Sequence, residues 1–205
     1  MAVPRLLHCA GRREEAERAY RDLLVRDPGN VFVLHEVYLM LLGERAPDRL
    51  RQAADTARRE LWNGKPPAPV AEQAARMDLA ADALEGRPQA FLKILEAEAR
   101  DLSAATAPRP GFGSTKGDQM FTLALEFAEA GQTARALDLL RGAVESGSLY
   151  LPWALPYGPT EFPPAMRADP AYAALWKSTP GLADLIARRA EAQRKGAALT
   201  DGPSR

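Results

Sequence analysis

Apolar positions recur every three or four residues in nearly every segment of the chain longer than ten residues, and none shows the sustained two-residue alternation of a half-buried strand. The pattern predicts a short helix near 3–10, then helices near 12–27, 31–42, 47–62, 69–85, 88–103, 119–130 and 132–146. A proline-rich stretch over 148–168 follows, with further helices near 170–178 and 180–195 and a frayed, disordered tail over 196–205. Gly and Pro punctuate these segments. Pro28-Gly29-Asn30 stops one helix and Gly43 ends the next. Pro47 and Pro88 fall where a first turn tolerates a missing N–H, and Gly86, Gly131 and Gly147 stand where helices close. The short links between helices predict antiparallel hairpins, so the expected fold class is all-α.

Two stretches carry a repeat. In residues 10–30, Gly11 takes a turn, Ala16, Tyr20 and Leu23 form a small-large-large stripe, and Pro28 closes the unit. In residues 120–136, Met120, Leu123, Ala124 and Phe127 fill one helix, and Gly131 and Ala136 open a second that continues to Leu140 and Ala143. Weaker copies of the stripe are Leu50, Ala54, Ala57 and Ala90, Ile94, Ala97. Small residues let two helix backbones approach, and a large neighbour fills the next groove. This pattern resembles the tetratricopeptide (TPR) repeat family, most closely over 10–42 and 117–146. The segment Arg167-Ala168-Asp169-Pro170-Ala171-Tyr172 is similar to the one that closes many bacterial-type arrays of that family.

The resemblance implies a right-handed α-solenoid of about four helix hairpins with a C-terminal helical cap. Repeats would occupy 1–147, with the first truncated and a loop insertion at 104–118, and capping helices would fall within 148–195. The clipped first repeat is expected either to continue a longer array or to serve as a makeshift cap over 1–10. Arrays of this kind are often fused to nucleotide-cyclase, protein-kinase or winged-helix regulator domains. None of those domains lies in these 205 residues, so their activities do not carry over.

Charge and composition narrow the partners. Lys+Arg and Asp+Glu both number 27, which disfavours a nucleic-acid partner. The longest apolar stretch, 31–42, is interrupted by His35 and Glu36 and is too short to span a bilayer. A single cysteine, Cys9, and the lack of a secretory-type start point to a reducing, cytoplasmic setting.

Catalytic chemistry finds no foothold. Residues 111–117 hold the letters of a phosphate loop in the wrong order, with Lys116 after the hydroxyl residues, and read as a flexible loop. His8, Cys9 and His35 have no metal-ligand spacing, and no orienting group or oxyanion feature accompanies them. Carboxylates such as Glu98, Glu126 and Glu129 read as a solvated helix face paired with Arg. No cofactor, metal site or catalytic residue is expected.

The segment 31–42 is apolar all round, which implies burial on both sides. In the repeat register Leu34, Val37, Tyr38 and Leu41 meet neighbouring helices. Phe32, His35, Leu39 and Leu42 then face the concave groove, joined at the far end by Phe121, Leu125 and Ala128. Two occupants compete for that groove. One is an apolar helix or extended peptide of a partner protein; the other is the chain's own segment carrying Tyr150, Trp153, Tyr157 and Phe162. Trp62 is expected to anchor a helix end. The expected function is a non-catalytic protein–protein interaction or scaffold module. The alternative is the C-terminal regulatory part of a longer signalling enzyme or transcription regulator.

Overall fold

The computed structural model describes residues 2–9, 12–104, 115–146, 148 and 162–178. Among these the regular structure is entirely helical: α1 (Ala2–Cys9), α2 (Arg13–Arg26), α3 (Val31–Gly43), α4 (Pro47–Asp55) continued by a π-helical turn (Thr56–Glu60), α5 (Ala68–Leu84), α6 (Gln89–Ala104), α7 (Lys116–Glu129), α8 (Thr133–Glu145), α9 (Pro164–Arg167) and α10 (Pro170–Ser178). No helix among the described residues is long and apolar enough to cross a membrane. The helix expected near 180–195, the tail 196–205 and residues 105–114 of the expected loop lie outside the described residues.

Local chemistry accounts for the helix ends. Asn30 accepts a hydrogen bond from the Val33 amide and donates one to Asp27 (3.0 Å), which caps α3 across the Pro28 turn. The Trp62 indole donates to the Pro28 carbonyl (3.3 Å), so Trp62 does anchor a helix end, thirty-four residues away in sequence. Helix α7 begins at Lys116, three residues before its expected start. The cause is a reciprocal cap: the Asp118 amide donates to the Thr115 hydroxyl, and the Thr115 amide donates to the Asp118 carboxylate, both at 3.1 Å.

Asp118 also accepts from the Ser148 hydroxyl (2.7 Å), which pins the end of α8 to the start of α7. Gly117 makes this approach possible, since a Cβ there would sit 2.9 Å from the Ser148 backbone nitrogen. Alanine is the better helix former by about 0.8–1 kcal/mol. Overpacking against unyielding backbone costs about 1–3 kcal/mol, so Gly117→Ala is expected to lose stability. Gly142→Ala meets only the flexible sulfur end of Met120, so a urea titration of the two variants is expected to show it close to neutral. Equal losses for the two variants would remove the close-approach account.

Each helix from α1 to α8 packs on the next. Beyond that the hairpins are asymmetric. The first helices of successive hairpins, α3, α5 and α7, all pack on one another, and α3 touches α7 directly across α5. Among the described residues the second helices, α2, α4, α6 and α8, show no comparable packing between themselves. The first helices of the hairpins are therefore tightly packed together, and the second helices stand apart. Helix α5 explains this: seven of its 17 residues are alanine, and Ala74, Ala80 and Ala81 are fully buried. A thin middle helix lets its two neighbours meet. Buried apolar side chains from α2 through α10 form one continuous core.

The C-terminal helices pack on α8. Phe162 is buried edge-on against Phe121 (ring centroids 5.8 Å) and Tyr172 (5.7 Å), and Tyr172 continues the chain of rings to Trp176 (5.4 Å). The resemblance-based closing segment thus contributes Tyr172 to that chain of rings.

Candidate functional site

The separation of the second helices leaves a cleft between α2 and α4 with α3 as its floor. It encloses about 350 Å³, within the range of natural binding pockets. Leu34, Val37 and Leu41 form the floor at helical spacings of three and four residues. Tyr20, Leu24 and Val25 make one wall; Ala53 and Ala57 make the other. Alanine on the α4 side keeps the cleft wide. The π-helical turn widens α4 at the same place: the Leu61 amide donates to the Thr56 carbonyl five residues back, and Thr56, Ala57 and Leu61 all line the cleft.

The lip is polar. Arg49 of α4 pairs with Glu17 of α2 and donates to Glu44 (2.7 Å), tying together the helices that flank the opening. Burial, with Arg13 nearby, lowers the Arg49 guanidinium from its usual range. His8 and Arg13 also reach Glu44, at 3.5 and 3.6 Å, which brings the end of α1 to this corner. Arg21, one turn along α2 from Glu17, lines the cleft and makes no ion pair among the described residues. Val25 stands 65% exposed at the mouth. The arrangement can take up apolar surface and offer one cation beside it.

The residues expected to line a concave groove are distributed differently. Phe32 is 49% exposed and Leu39 is half-buried, whereas His35, Leu42, Phe121, Leu125 and Ala128 are buried. Phe162 covers Phe121, the His35 ring lies against Tyr38 at 5.8 Å between centroids, and Leu42, Leu125 and Ala128 belong to the continuous core. Of the segment considered as self-filling, Phe162 is therefore placed on an expected groove residue. Tyr150, Trp153 and Tyr157 lie outside the described residues, as does the side chain of Cys9.

The carboxylates read as solvated include two that are not. Glu126 is fully buried, and Glu129 has almost no exposed side chain. The Tyr38 hydroxyl donates to Glu126 (2.6 Å), and Arg76 of α5 donates through Nε and Nη2 to both Glu126 oxygens (2.5 and 2.6 Å). Arg76 also bridges to Glu98 of α6 (2.7 and 2.9 Å). Burial, then the Glu126 charge, pushes the Tyr38 phenol well above its usual range. Burial opposes the charge on Arg76, but the Glu126 charge and the hydrogen bonds from both carboxylates outweigh it, so its guanidinium is held all the more firmly. Sequence spacing signalled none of this, because the partners lie fifty and eighty-eight residues apart.

Comparison with known proteins adds no relative to this picture: no family model matches the chain, and no curated protein or solved structure is similar to it.

Proposed function

We propose that the chain is a non-catalytic protein–protein interaction module: a TPR-like right-handed α-solenoid, tightly curved, closed by its C-terminal helices and acting on a protein or peptide partner rather than on nucleic acid or membrane. The observation that carries the reading is the cleft between α2 and α4, with an apolar floor and a charged lip. The occupant it suits is an amphipathic helix of a partner. The floor, Leu34, Val37 and Leu41, is only 2–9% exposed, so the apolar stripe of that helix would meet the rims, Leu24 and Val25 on α2 and Ala53 on α4. Arg21 calls for an acidic residue flanking that stripe, since charge complementarity sets partner choice and register. The expected groove thus moves from the inner face of the array to its outer one.

The test places a photo-crosslinking residue at Val25, or at Ile94 on α6 as a control, because both are exposed. Crosslinked peptides identified from the source cells should come from Val25, should read as helices with an apolar stripe and a flanking acid, and should bind the unmodified protein as synthetic peptides. Val25→Glu should weaken that binding at least tenfold and leave the thermal transition unchanged. Equal crosslinking at Ile94, or binding indifferent to Val25→Glu, would overturn the cleft as the docking site.

A further inference from the structure

The contact between α3 and α7 joins helices from non-adjacent hairpins, and its chemistry is unusual for a permanent core. Two polar bridges cross it. The first is Tyr38 to Glu126, extended through Arg76 to Glu98. The second is Arg45, just past the end of α3, which holds Glu129 at the end of α7 through two bonds of 2.8 and 3.1 Å. Together the bridges bring three carboxylates, Glu98, Glu126 and Glu129, against two guanidiniums, Arg45 and Arg76. One negative charge is left over.

Two further features bear on the second bridge. Arg45 takes its left-handed backbone (φ 52°) as the residue that closes α3, with its amide on the Leu42 carbonyl and the Ala46 amide on the Leu41 carbonyl, a conformation an L side chain adopts at a cost. Burial raises the Glu129 carboxyl above its ordinary range despite the Arg45 bridge. Desolvation of buried ion pairs offsets most of their mutual attraction. A seam of leucines would lock; this one is nearly balanced, which is what an element with two arrangements requires.

We propose that the α3–α7 seam is a releasable latch, so that the chain alternates between the closed form described here and an opened form in which α3 and α7 part and expose the faces carrying Tyr38, Glu126 and Glu129. Release breaks the Tyr38–Glu126 and Arg45–Glu129 bridges. Arg76 stays with Glu98 and Glu126, and Arg45, whose side chain is already over a third exposed, turns to water. The opened face adds the Glu129 carboxylate, freed of its partner, one turn from Glu126, which Arg76 still holds. This inference rests on the seam alone and stands whether or not the outer cleft binds a partner.

Spin labels on cysteines introduced at Phe32 (α3) and Asp138 (α8), both exposed, with Cys9 replaced, report the spread of the array by pulsed dipolar spectroscopy. The full chain is expected to give a main distance and a minor longer one. Arg45→Gly, which removes the bridge and relieves the left-handed strain, and Tyr38→Phe, which deletes only the hydroxyl, should each enlarge the longer population at least threefold while helicity and the thermal midpoint hold. A single unchanged distance in all three proteins would overturn the latch. So would a longer distance that appears only with loss of helicity, because the bridges would then be fixed parts of the core.

Discussion

Replacing Glu126 with alanine is expected to destabilise the protein by about 3–5 kcal/mol, the range measured when one partner of a buried ion pair is removed. The size follows from what is left behind. Arg76 keeps its charge but loses the carboxylate that holds two of its nitrogens, and the Tyr38 hydroxyl loses its acceptor inside the core. Glu98 alone, on a partly exposed side chain, then compensates the guanidinium. Glu129→Ala should cost much less, since Arg45 is over a third exposed and turns to water when its partner is gone. Urea titration followed by circular dichroism measures both. The double variant Arg76→Met, Glu126→Leu supplies the control: with both charges removed and the volume kept, most of the lost stability should return. A loss near 1 kcal/mol for Glu126→Ala would mean that water reaches Arg76, and the seam would no longer count as buried.

The same residue marks the border of what the sequence reveals. Helix positions were legible because their signals are local: Pro28-Gly29-Asn30, Gly43, Pro47, Gly86 and Gly131 all fall at or beside helix boundaries. The start of α7 was equally local, since Thr115 stands three residues before Asp118 in the spacing of a capping box, but it was hidden inside a loop rich in Gly and Ser. Burial of the 31–42 helix on all sides was legible from its composition; the identity of what covers it was not. Leu34, Val37 and Leu41 face the outer cleft, and Tyr38 faces α7. A repeat register assigns a residue to the inner or outer layer. It does not carry the curvature, which depends on how thick the intervening helix is. The alanines of α5 were visible as composition, but only the packing of the helices shows α3 reaching α7 across them and a cleft left between α2 and α4. Glu126 read as a surface acid because nothing near it in sequence announces Arg76.

Phe162→Ala tests whether the C-terminal helices are a docked cap or part of the single core. Phe162 is 1% exposed and joins Phe121 of α7 to Tyr172 of α10 through two edge-on contacts, so truncation removes a large buried ring and both aromatic pairs. Phenylalanine-to-alanine changes in cores cost about 3–5 kcal/mol. Here the loss is limited by how strongly α9 and α10 are held, since α8 is the element they pack on most. The expected result is therefore uncoupling rather than a uniform shift. In a background where Trp62 and Trp153 are replaced by Phe, the fluorescence of Trp176 reports the cap alone, because its ring stacks edge-on with Tyr172 and is buried there. That signal should redden at a urea concentration well below the main loss of helicity, which should move little. If fluorescence and helicity instead shift together by the full amount, the cap belongs to the same cooperative unit as α3, α5 and α7. The ring chain from Phe121 to Trp176 would then carry strain from the end of the molecule into the seam.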